Sequence, residues 1–155
     1  MAARPSFDMS KMSSADKILL IGGFVLFIDT FLPWQHACAS GLGIKLCVNV
    51  SAWSGNAAFL GVLTGIFSIL LVVWLVINVT GMNVQLGVPA ATVTTILLGG
   101  TVVFGILKLL FVLFNHSYFG AWLGLILIAA LAYAGYTKMQ ETQVAIPPPG
   151  PPPMA

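Results

Sequence analysis

Residues 17–34 read KILLIGGFVLFIDTFLPW. After Lys17 the run carries no charge until Asp29, five residues before Trp34 closes it. A helix that crosses a hydrocarbon core needs about 17 to 25 predominantly apolar residues. The stretches 57–79, 90–114 and 119–136 have the same character. None shows the polar alternation of a barrel strand, so the backbone of each must satisfy its own hydrogen bonds as a helix. The expectation is an all-α fold, a four-transmembrane-helix bundle over 17–137 with a short disulfide-closed external hairpin in the loop 35–56. A cytoplasmic segment, 1–16, precedes it and a disordered proline-rich cytoplasmic tail, 138–155, follows.

Composition agrees. The 155 residues are 59% hydrophobic and 6% charged, with a mean hydropathy of +1.02. Soluble domains carry about 25% charged residues. This chain has too few to cover a water-facing surface, so the lipid bilayer is its expected surround. The net charge of +2 is scattered and forms no basic patch, which argues against nucleic acid. The sequence has no glycine-rich phosphate loop, nucleophile–base pair or paired carboxylates, so neither an enzyme nor a cofactor is expected.

The predicted helices have recognisable ends. Ser13 and Ser14 can cap the first, with Asp16 in its first turn. Pro89 suits the start of the third, and Asn115 or Ser117 can cap the fourth. Pro33 bends or ends the first. Ala37-Cys38-Ala39 has the small-x-small form of a leader cleavage site, but the region before the apolar run is long and Asp29 interrupts it, so a retained helix is expected. Basic residues set the orientation. Arg4, Lys11 and Lys17 precede the first helix and Lys138 follows the fourth, whereas the loop 35–56 holds Lys45 alone. Both termini are therefore expected in the cytoplasm of a plasma-membrane protein. Trp34, Trp53, Tyr118 and Trp122 then serve as outer interface anchors, and Trp74, Tyr133 and Tyr136 fall towards the inner boundary.

In that topology Asp29 and Lys108 lie about 7 and 10 Å below the outer boundary at 1.5 Å per residue. Apart from Lys17 at the very start of the first, they are the two full charges inside the predicted spans, and a lone charge near the bilayer centre costs about 2.5–3.5 kcal/mol. An Asp29–Lys108 ion pair joining the first and third helices is expected, as a clamp on helix register. Alternatives are a coupling site in which Asp29 titrates to drive proton or cation movement, and independent snorkelling of both side chains.

Cys38 and Cys47 flank Gly41-Leu42-Gly43, and IKLCVNV (44–50) alternates with the period of a strand. Outside the cell an oxidised pair is expected. Closing about ten residues stabilises the loop by roughly 2.5–3 kcal/mol in the chain-entropy model. Four-helix thiol oxidoreductases carry Cys-x-x-Cys and a second cysteine pair, and neither occurs here. A metal held by His36, Cys38 and Cys47 would need a fourth ligand for tetrahedral geometry, and no metal is expected. His36 and His116 read as interfacial polar residues or as a weak pH sensor.

Small residues recur four apart: Gly61 with Gly65, Thr101 with Gly105, Gly120 with Gly124, and Ala130 with Ala134. Such spacing lets helix backbones approach, within one bundle or across a homo-oligomer face. Thr92, Thr94, Thr95 and Thr101 can bond to their own helix. The tail IPPPGPPPMA (146–155) reads as polyproline II, an inert end or a docking strip. Asn49-Val50-Ser51 and Asn115-His116-Ser117 match the glycosylation pattern.

FLPW (31–34), SAWSG (51–55) and FGAWLGLILIAALAYAGY (119–136) resemble small four-helix integral membrane proteins of actinobacteria, largely without an assigned function. The likeness covers roughly residues 17–137 and implies the fold, with no catalytic residue to carry over. Function is thus expected to be non-enzymatic: an accessory, assembly or interaction component of a cell-envelope membrane system, with a membrane-protein partner or a second copy. The alternative is a small oligomeric proton- or cation-coupled transporter using Asp29.

Overall fold

The computed structural model describes residues 9–41, 43–82, 84, 87–114 and 117–144. The sequence-based expectations for Arg4, Asn115, His116 and the tail 146–155 fall outside them. After a single 3-10 turn at Met9–Lys11 the elements are helix α1 (Ser14–Asp29), strands β1 (Pro33–Gly41) and β2 (Ile44–Ser51), and helices α2 (Ala58–Val79), α3 (Ala90–Leu113) and α4 (Phe119–Val144). The helices alternate in direction. α1 packs on α2 and α4, and α3 packs on the same two.

Helix α1 is shifted from the expected 17–34. It starts at Ser14 because Ser13 caps it, the hydroxyl accepting the Asp16 backbone N–H at 3.1 Å. It ends at Asp29 because Pro33 disfavours helical geometry at the residue before it, and Thr30 closes the last turn by bonding to Leu26 O. Sixteen residues rise about 24 Å, less than the other three. Helix α4 instead runs on to Val144, so the first residues assigned to a disordered tail are helical. Among the described residues three helices are long and apolar enough to cross a membrane: Ala58–Val79, Ala90–Leu113 and Phe119–Glu141.

The fold is mostly helical but not purely so, because the loop 35–56 forms a two-stranded antiparallel sheet. Its register pairs His36 with Asn49, Cys38 with Cys47 and Ser40 with Lys45, and Gly43 turns the chain at φ +79°. Cys38 and Cys47 form the expected disulfide.

Apolar side chains lie both between the helices and on their outer faces. Leu19, Leu26, Leu71, Leu131, Thr64, Ser68 and Thr101 are buried between the helices. Phe24, Phe59, Ile96 and Ile126 are more than half exposed on their outer faces. Soluble proteins rarely expose such contiguous apolar surface. Hydroxyls on the inside return to their own helices, Thr94 to Ala90 O and Thr101 to Leu97 O, and exposed Thr95 does the same to Ala91 O. Ser68 instead reaches across to Gly23 O at 2.6 Å. This is a membrane protein.

Candidate functional site

The features singled out from the sequence converge where the hairpin enters the helices. Trp34, at the start of β1, is not the lipid-facing anchor expected of it: its indole is fully buried. It lies on α4 where Gly120 and Gly124 leave a trough one turn long. A Cβ at Gly124 would stand 2.6 Å from Trp34 Cζ2 and 2.9 Å from Asp29 Oδ2, and one at Gly120 would stand 2.6 Å from Pro33 O. The indole Nε1–H donates to the backbone oxygen of Asp29 at 2.9 Å, a carbonyl at the end of α1 that also accepts the Leu32 N–H.

The other leg of the hairpin enters in the same manner against α2. Ala52 sits so close to Gly61 that a Cβ there would collide with its carbonyl oxygen, and a Cβ at Gly65 would be 2.7 Å from Trp53 Cζ2. Trp53 Nε1–H donates to Thr30 Oγ1 at 2.8 Å, and its ring stacks on Phe31. The pairs Gly61/Gly65 and Gly120/Gly124 thus seat the two ends of the hairpin rather than a neighbouring helix. The expected helix-packing role fits Gly105, where a Cβ would meet Ile128 of α4 and Thr64 of α2, with Thr101 buried one turn away. Tyr118 donates its backbone N–H to Trp34 O and stacks its ring on His36. Trp122 is 54% exposed on α4.

No protein-family model, curated protein or solved structure matches this chain. The geometry therefore stands by itself.

The expected Asp29–Lys108 ion pair is not formed. Both residues are buried, but α2 and α4 lie between their helices. The Lys108 stem instead carries its ammonium to the segment before α2, donating to Asn56 O at 2.5 Å and Ser54 O at 3.5 Å. Asn56 O also accepts from Gln35 Nε2, and Asn56 N–H donates to Gln35 Oε1 at 3.0 Å. Lysine, glutamine and asparagine thereby tie α3 to both legs of the hairpin. Asp29 is left with neither carboxylate oxygen hydrogen-bonded. Nothing in the sequence marked Gln35 or Asn56 for this role.

This arrangement predicts opposite signs for two substitutions. Asp29→Asn removes an uncompensated buried acid and raises the unfolding free energy in detergent by about 1 kcal/mol or more. Lys108→Met strips charged hydrogen bonds and lowers it by about 1.5–3 kcal/mol. The double mutant is additive within about 0.5 kcal/mol, whereas a clamp would show coupling above that. A thermal double-mutant cycle checks this.

At the opposite end of the helices Lys138 of α4 pairs with Asp16 of α1. The signal was available: both residues fall at the same end of antiparallel helices. Beside them opens a cavity of about 400 Å³ lined by Met12, Asn78, Ala91 and Thr94 among others. Trp74, expected near an interface, is buried and donates to Thr94 Oγ1 at 3.1 Å.

Proposed function

We propose that this is a non-enzymatic, multi-pass protein of the plasma membrane that acts as an accessory or assembly component of a cell-envelope system. In this reading α1 completes a four-helix transmembrane bundle, both termini are cytoplasmic and the hairpin stands outside. The observation that carries it is the hairpin's second face. Ile44, Leu46 and Val48 are 63%, 70% and 58% exposed, opposite Gly41, Ala39 and Ala37 in the register. A two-stranded hairpin is marginal in water. Here a disulfide and two buried or half-buried tryptophans hold it rigid while its apolar strip stays uncovered, the arrangement of a contact surface for a membrane-protein partner or a second copy.

The test is a photo-crosslinking residue at position 46 in native membranes, with a lipid-facing control at position 126. The expected result is one discrete protein adduct at 46 that disappears in Ile44→Ser/Val48→Ser. Lipid adducts alone at both positions would refute the proposal.

The transporter alternative draws on Asp29, a buried carboxylate without a hydrogen-bond partner. On that reading Asp29→Asn abolishes pH-dependent uptake or efflux in proteoliposomes while leaving the protein folded. Unchanged transport removes it.

A further inference from the structure

The polar face of the hairpin gathers three metal-binding side chains. The ligand atoms of His36, Cys38 and Cys47 all lie within 4.8 Å of one another. Both cysteines are exposed. We propose that the hairpin is a redox-gated site for monovalent copper, closed while Cys38 and Cys47 are joined and open once they are reduced.

Backbone register keeps the two sulfurs together after reduction, because Cys38 and Cys47 are directly opposite in the ladder. Cβ atoms of such a pair are about 4.5–5.5 Å apart. Two thiolates at about 2.3 Å from one metal ion sit about 4 Å from each other, within reach of that pair. His36 is two residues before Cys38 and so projects from the same face. Its ring is held twice, by stacking on Tyr118 at a centroid distance of 5.9 Å and by a 2.6 Å contact between Nδ1 and Asn49 Oδ1. With the Asn49 oxygen as acceptor, Nδ1 carries the proton and Nε2 keeps its lone pair for a metal. An acceptor that fixes the tautomer in this way is the usual support of a ligating histidine.

Two thiolates and an imidazole form a soft donor set. Monovalent copper accepts trigonal coordination, so the set is complete without the fourth ligand that tetrahedral zinc demands. Opening the site takes two electrons and two protons from a dithiol reductant, which leaves as its own disulfide. The two new thiols release their protons to solvent as copper binds, giving a site of net charge −1. Lys45, two residues from Cys47 and opposite Ser40, supplies a neighbouring positive charge.

The test uses the full chain in detergent under anaerobic conditions, titrated with Cu(I) against a chromophoric Cu(I) chelator. Reduced protein is expected to take one Cu(I) per chain and to develop the ultraviolet thiolate-to-copper charge-transfer band, while oxidised protein takes none. Asn49→Ala weakens binding about 10- to 100-fold, His36→Ala weakens it by at least as much, and Cys38→Ser removes it. The wild-type band under reduction needs no variant, so a misfolded mutant cannot obscure the outcome. Equal binding by the oxidised chain, absence of the band on reduction, or full affinity in His36→Ala would each overturn the proposal.

Discussion

Trp34→Ala lowers the unfolding free energy in detergent by about 3–5 kcal/mol, the range for emptying a fully buried aromatic site. Three losses combine in this substitution. The indole leaves a void against Gly120 and Gly124, whose missing side chains cannot refill it. The backbone oxygen of Asp29 loses one of its two donors and keeps only the Leu32 N–H. The β1 leg loses its attachment to α4, so amide protection falls across the whole hairpin and not at position 34 alone. Trp34→Phe restores most of the volume but not the hydrogen bond, and recovers more than half of the lost stability. Thermal unfolding combined with hydrogen exchange measures both effects. A Trp34→Ala protein with wild-type stability would mean that the hairpin is held elsewhere.

Gly61→Ala destabilises by about 3 kcal/mol or more, the upper end of the overpacking range, although alanine is the better helix former by about 0.5–1 kcal/mol. The added Cβ would meet backbone, the carbonyl of Ala52, and backbone cannot rotate aside as a flexible side chain can. Ala52 is itself fully buried, with its N–H donating to Thr30 O, so retreat breaks that bond. Gly99→Ala is the internal control. It is also a glycine in a helix interior, but no atom lies within 4 Å of its added Cβ, and the propensity gain is expected to appear as a neutral or slightly raised Tm. Equal Tm shifts for the two variants would show that α2 does not carry the β2 leg.

Much of this molecule could be read from the chain because membrane insertion imposes a one-dimensional constraint. Each apolar run must satisfy its backbone alone, so the starts of α2, α3 and α4 follow from composition and length. The disulfide and β2 were legible too, since Gly41-Leu42-Gly43 marks a turn between Cys38 and Cys47 and IKLCVNV alternates with a strand's period. The strand β1 was not. PWQHACASG is rich in small residues of weak strand preference, and it becomes a strand because β2 and the disulfide supply its partner.

What the sequence could not decide was which group each special residue meets. A glycine four residues from another permits close approach, but it does not say whether a helix or a tryptophan will approach. Here Trp34 and Trp53 take the Gly120/Gly124 and Gly61/Gly65 troughs because the hairpin's two legs descend onto α4 and α2. Opposite charges at similar depth invite pairing in the same way. Yet Lys108 has a long stem and a set of loop carbonyls above it, and α2 and α4 stand between its helix and that of Asp29. Local hydrophobicity and chain connectivity were enough to give four helices in this order and an oxidised hairpin, though not the ends of α1 and α4. Only the tertiary structure assigned the contacts under the hairpin, because these depend on which elements are neighbours in space.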